Sequence, residues 1–144
     1  MASSELEHVV RCLLSRFEVY GVVLFGSRAR GDYKPWSDYD ILIVGPFEKP
    51  YLERLGEVLE VLSCTHLPVE PHPYTLEEAL EMLSRGSPTI VDALSEGVVL
   101  YKTKEFEALE NAYRELVRRG LRRSNVTVVL PDEGEAPDSS RPLG

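Results

Sequence analysis

The sequence predicts an α/β (α+β) fold, a mixed sheet with helices packed against it. Three observations carry this reading. Two short apolar runs, Val22-Val23-Leu24-Phe25 and Ile41-Leu42-Ile43-Val44, each stop at a glycine. The second run is apolar at every position after Asp40, as a strand buried on both faces requires. Between and around these runs, apolar residues recur at helical spacing. The chain has 144 residues, the size of a single domain, and its 43% apolar content is enough for a core.

Taken in order, Leu6, Val9, Val10, Leu13, Leu14 and Phe17 mark a first helix. Ser4-x-x-Glu7 is a capping-box candidate at its start. A strand from Val19 to Phe25 follows, and a second from Tyr39 to Val44 ends at Gly45-Pro46. Leu52, Leu55, Leu59 and Leu62 recur at helical spacing. Leu67 to Tyr74 reads as a strand with prolines at positions 68, 71 and 73. Missing donors make it an edge strand or an irregular one. Thr75-x-x-Glu78 opens a helix with Leu76, Ala79, Leu80 and Leu83 inward, and Arg85-Gly86 stops it. Pro88 opens another, through Val91 and Leu94 to Gly97, and Val98 to Tyr101 reads as a short strand. Phe106, Leu109, Tyr113, Leu116 and Val117 mark a long helix closed by Gly120. Its basic end (Arg114, Arg118, Arg119, Arg122, Arg123) complements the helix dipole or forms an RNA- or partner-binding patch. Asn125 to Leu130 reads as a last strand or a partner-binding segment.

The chemistry concentrates between the first two strands. Gly26 lets a phosphate approach the backbone closely. Ser27 offers a hydroxyl and, at a helix start, an N–H favourable to an anion. Arg28, Arg30 and Lys34 put positive charge into one loop of an otherwise acidic chain. Eleven residues after Ser27 comes Asp38-Tyr39-Asp40. Residues two apart on a strand share a face, so the two aspartates point the same way. Carboxylates held that close repel unless a cation neutralises them. A hard cation such as Mg²⁺ takes oxygen ligands and leaves room for substrate phosphates.

The strand, Gly26-Ser27-Arg28-Ala29-Arg30-Gly31 and Ser37-Asp38-Tyr39-Asp40 together resemble the DNA polymerase β-like nucleotidyltransferase superfamily. The likeness is to its small stand-alone members, the minimal nucleotidyltransferases (MNT), and covers roughly residues 19 to 101. The resemblance implies a polymerase β-like palm. It implies a third acid on a neighbouring strand, and Glu70 is the one acid between the flanking helical stretches. Glutamate replaces the more usual aspartate there, and an exposed edge glutamate is the other reading. His72 shares the face of Glu70 in a regular strand, where it could touch substrate or metal, or could be a surface residue.

By position, the resemblance makes Asp38 and Asp40 the residues bridging two Mg²⁺ ions, with Mn²⁺ also acceptable. Glu70 binds the metal on the nucleophile side. Gly26 and Ser27 hold the phosphates, and Arg28 and Arg30 neutralise the leaving group or point to solvent. The implied reaction moves a nucleoside monophosphate, AMP from ATP before other NTPs, onto a hydroxyl. MNT proteins often pair with an all-helical HEPN protein as its antitoxin, and some attach AMP to a tyrosine of that partner. This chain is short for a large acceptor-binding domain, which favours a partner protein as acceptor. Two alternatives stand beside it: a non-catalytic antitoxin that caps a toxin by contact, and a small-molecule, aminoglycoside-type nucleotidyltransferase. The domain reading is residues 1–102 as the nucleotidyltransferase domain and 103–130 as a helix and strand packed on it. Residues 131–144 form an acidic tail, disordered when alone.

The net charge of −8 suits a nucleotide neutralised by metal better than a long polyanion, so nucleic acid is not an expected partner. No apolar run approaches the roughly 18 residues that span a bilayer. The N-terminus lacks a basic-then-apolar signal, so the expected location is cytoplasmic with no membrane partner. Apolar segments after residue 97 leave homo-oligomerisation open. Cys12 and Cys64 have no metal-ligand spacing and read as ordinary thiols of a cytosolic protein. No Gln and two Asn point toward a thermophile, in which a Cys12–Cys64 disulfide becomes tolerable.

Overall fold

A computed structural model describes residues 2–123 and 128–131. The elements are α1 (Ala2–Arg16), β1 (Gly21–Phe25), α2 (Ser27–Arg30), β2 (Tyr39–Val44), α3 (Tyr51–Val61), β3 (Val69–Tyr74), α4 (Leu76–Ser84), α5 (Pro88–Glu96), β4 (Val98–Lys102) and α6 (Glu107–Arg118). Short 3₁₀ turns sit at Leu62–Cys64 and Lys104–Phe106. A small ribbon pairs β5 (Arg122–Arg123) with β6 (Val128–Val129). The acidic tail expected from residue 131 onward lies outside the described residues, except for Pro131 itself.

The main sheet has the order β3-β2-β1-β4. β1 runs antiparallel to both β2 and β4, while β3 runs parallel to β2. The mixed sheet and its helices agree with the fold read from the sequence. Alternation along each strand divides the core in two. Val22, Leu24, Ile41 and Ile43 face α1 and α3, against Val9, Leu13 and Val58. Val23, Phe25, Leu42 and Val44 face α4, α5 and α6, against Leu83, Ile90, Phe106 and Leu109. Covering both faces explains why β1 and β2 are almost wholly apolar.

β3 is an edge strand, and a regular one. Tyr39 N–H donates to the Pro68 carbonyl and Gly45 N–H to the Tyr74 carbonyl at the two ends of its ladder. That phase turns the even-numbered residues of β3 toward β2. The nitrogens of Pro71 and Pro73 therefore face outward, where no donor is needed.

Helix phases hold two surprises. Of the leucine stripe read for α3, Leu62 in the turn that follows is buried, but Leu52 is 79% exposed and Leu59 49%, whereas Arg54, Val58 and Val61 are buried. Arg54 fixes that phase. Its guanidinium donates to the Lys49 carbonyl (3.0 and 3.1 Å), the outward Pro73 carbonyl (3.2 Å) and the Glu78 carboxylate (2.6 Å). In α1 the helix runs from Ala2, so Ser4 lies within its first turn rather than ahead of it. The second capping box does form: Thr75 Oγ1 accepts from Glu78 N–H, and Glu78 accepts from Thr75 N–H. Among the described residues, no helix is long and apolar enough to cross a membrane.

Cys12 and Cys64 are not free thiols: they form a disulfide that ties α1 to the turn after α3. The two cysteines lie 52 residues apart in sequence, and only the packing of α1 beside α3 brings them together.

Candidate active site

The end of β1 and the starts of β2 and β3 meet at one margin of the sheet. Phe25 pairs with Asp40, and Asp40 with Glu70. Asp40, Glu70 and His72 all point to the α4–α6 side, because each shares the strand phase of Leu42 and Tyr74. His72 Nε2 lies 3.2 Å from Asp40 Oδ1 and 3.3 Å from Glu70 Oε2. The three ligand atoms fall within 4.8 Å of one another. The imidazole also rests on the Phe25 ring, with centroids 5.0 Å apart.

Gly26 closes the cluster from above. Its φ of 77° and ψ of −160° suit glycine alone. A Cβ there would stand 2.6 Å from Asp40 Oδ2. Strand β1 thus turns into α2 directly over the carboxylate. Ser27 is the first residue of α2, and no side chain caps that turn.

Like charge governs the electrostatics. Glu70 holds its proton above the ordinary glutamate range, first because the Asp40 carboxylate lies at hydrogen-bond reach, then through partial burial and the charge of Asp40. Asp38 adds to the shift, and His72 opposes it. Asp38 is exposed, immediately before β2, and stands outside the close cluster that Asp40, Glu70 and His72 form.

The two arginines contact the loop that follows them and α5. Arg28 Nε donates to the Ser37 carbonyl at 3.1 Å, and Nη2 to the Pro35 carbonyl at 3.3 Å. Its guanidinium lies 4.2 Å from the Tyr33 ring centroid and 4.4 Å from that of Tyr39. Arg28 therefore clamps the loop that carries Asp38. Arg30 bridges Asp32 at 3.2 Å and Glu96 of α5 at 2.9 Å. Both contacts were beyond reading from the sequence, since they depend on the path of loop 31–38. His72 was within reach only as a strand neighbour of Glu70; the register Leu42↔His72 places it against Asp40.

Residues 6–116 match the family described as the nucleotidyltransferase domain. A proposed protein adenylyltransferase of Methanocaldococcus jannaschii, MJ1547, is 44% identical over 41 residues, 28% of this chain and 34% of that protein. A second from the same organism, MJ0604, is 43% identical over 49 residues, 33% and 49% of the two chains. The matched stretches thus span a third to a half of these relatives' lengths. Among solved structures, a nucleotidyltransferase-like protein of Sulfolobus solfataricus superposes with a TM-score of 0.51 and 27% identity, over 71% of this chain and 81% of that one. A toxin–antitoxin structure with AMP-PNP gives 0.58 at 16% identity, covering 82% and 88%. A tri-AMPylated Shewanella oneidensis HEPN toxin in complex with its MNT antitoxin gives 0.56 at 15%, covering 82% and 87%. The last two likenesses concern the fold alone. With the family match running from α1 through most of α6, over a sheet whose margin gathers Gly26, Asp40 and Glu70, this chain belongs to the nucleotidyltransferase domain family.

Proposed function

We propose that this chain is a metal-dependent nucleotidyltransferase that moves AMP from ATP onto a hydroxyl of a partner protein of the HEPN type. One observation carries the proposal: Asp40 and Glu70 are in register on one face, directly beneath the Gly26-Ser27 turn. The carboxylates fit a hard cation. Oxygen donors crowd together there, and Glu70 retains its proton above the ordinary range because Asp40 is so near.

Asp38, Asp40 and Glu70 would hold Mg²⁺, or Mn²⁺, which when bound neutralises the triphosphate and acidifies the acceptor hydroxyl. Gly26 leaves the backbone open to the phosphates, and Ser27 supplies a hydroxyl and N–H toward them. The acceptor oxygen bonds to the α-phosphorus as the bond to pyrophosphate breaks. Glu70 is the carboxylate positioned to take the hydroxyl proton. His72 orients Asp40 and Glu70 through its contact with both. Arg28 acts by fixing loop 31–38, and with it Asp38.

The relatives' names support adenylyl transfer to protein. The toxin–antitoxin neighbours, alike in fold, support a HEPN partner. The test is transfer of label from α-³²P-ATP with Mg²⁺ to the purified chain and to proteins co-purified with it. Label on one partner band, lost in the Asp38→Ala/Asp40→Ala variant, is the expected result. Label on no protein, with a partner still bound, would replace the proposal with an antitoxin acting by contact alone.

A further inference from the structure

The disulfide lies on the α1–α3 side of the sheet, opposite the face that carries Asp40. His8 and Cys12 stand one turn apart on α1 and so share a side of that helix. Cys64 ends the 3₁₀ turn after α3. His8 Nε2 is 3.6 Å from Cys12 Sγ and 3.2 Å from the Cys64 carbonyl oxygen. One ligand atom from each of the three residues falls within 4.8 Å of the other two. His8 and Cys64 are exposed and Cys12 half-buried, so the group opens to solvent.

We propose that this trio is a redox-gated Zn²⁺ site, closed as a disulfide and opened by a dithiol reductant. The disulfide takes two electrons and two protons from the dithiol, which itself becomes a disulfide. Zn²⁺ then displaces both thiol protons and binds Cys12 Sγ, Cys64 Sγ and His8 Nε2, the imidazole proton passing to Nδ1 as Nε2 gives up its contact with the Cys64 carbonyl. The fourth position faces water. Geometry agrees with the donor set. In a tetrahedral site with ordinary Zn–S and Zn–N bonds, sulfur and nitrogen stand about 3.5 Å apart. The His8–Cys12 separation of 3.6 Å already meets that. The sulfurs need only part to about 3.8 Å, which side-chain rotation supplies. Two thiolates and an imidazole select a borderline-soft ion, whereas the Asp40–Glu70 cluster suits a hard one. The two sites therefore discriminate between metals.

The test uses the full chain, reduced with a water-soluble phosphine under argon and titrated with Co²⁺, then Zn²⁺. The expected result is a thiolate-to-cobalt charge-transfer band that saturates at one equivalent and is bleached by Zn²⁺. The oxidised chain and the Cys12→Ser/Cys64→Ser variant should give no such band, which separates this site from the carboxylates. His8→Ala should weaken binding about 10–100-fold, at least the effect of losing an outer-shell partner. No band in the reduced chain would overturn the proposal. So would an affinity unchanged in His8→Ala, or loss of the native circular dichroism on reduction without recovery on adding metal.

Discussion

Gly26 and Glu70 set the chemistry of the margin in opposite ways, one by what it lacks and the other by a charge it resists. A methyl group at position 26 would meet Asp40 Oδ2 and force an L-residue to φ 77°. Gly26→Ala is therefore expected to cost about 1–3 kcal/mol in denaturant unfolding and to depress label transfer with it. Glu70 invites a test by pH. Its folded pKa is raised, so ionising Glu70 costs the metal-free fold more than it costs the unfolded chain. Stability from this group is fully present below the unfolded pKa and lost as pH rises through the folded value. Glu70→Gln removes that loss. Without metal, the variant should unfold later than wild type at neutral pH and no later in acid; saturating Mg²⁺ should remove its advantage. An unchanged difference between acid and neutral pH would show that Asp40 does not burden Glu70. At this scale the sequence was informative wherever period and spacing decide. The two-residue alternation of a strand placed Glu70 and His72 on one face. It could not say that this face meets Asp40, because the register of a parallel pair is set by the crossover through α3.

Elements are joined here by one buried cation. Arg54 links α3, the outer edge of β3 and the start of α4 through the Lys49 and Pro73 carbonyls and Glu78. Partial burial raises the Glu78 carboxyl, but the Arg54 hydrogen bond and the Thr75 N–H together outweigh it and hold the pKa below the ordinary glutamate range. The folded value is depressed, so stability from this pair is present above the unfolded pKa and fades as pH falls through the folded one. Arg54→Met leaves the Pro73 carbonyl and Glu78 without their partner. It should cost about 2–4 kcal/mol at neutral pH, less than a fully buried pair because Glu78 is 44% exposed. The cost should shrink in acid as Glu78 takes its proton. Chemical denaturation of both chains at neutral and acid pH measures this directly. Helix existence was legible from apolar spacing, and the Thr75–Glu78 cap from its motif. The face of α3 was not. Leu52 and Leu59 of the leucine stripe are exposed, and a hydrogen-bonded arginine occupies a buried position, because the Pro73 carbonyl of β3 and the Lys49 carbonyl take a donor that no leucine supplies.

The whole molecule depends on contacts that join distant parts of the chain. Phe106 covers Gly21 so closely that a Cβ there would stand 2.3 Å from its ring, and Phe106, Leu109, Leu121 and Val128 complete the core behind Val23 and Leu42. A chain ending at Lys102 should therefore lose cooperative unfolding, and a sharp calorimetric transition from that fragment would show that residues 1–102 suffice alone. The Cys12–Cys64 bond works at the same scale. Composition raised the pairing only as something a thermophile tolerates, since proximity across 52 residues appears only after α1 and α3 pack on the sheet. A loop of that length restricts the unfolded chain, and the entropic relation gives about 4 kcal/mol. Reduction, or Cys12→Ser/Cys64→Ser, should lower the unfolding free energy by that order with little change at the Asp40 margin, which lies on the other face of the sheet. Zn²⁺ added to the reduced wild type should recover part of the loss, because a metal bound only by the folded state stabilises it by mass action. The serine variant should recover none. Equal recovery in both would assign the metal effect to the carboxylates, while recovery confined to the wild type would make the same two sulfurs a covalent staple when oxidised and a metal staple when reduced.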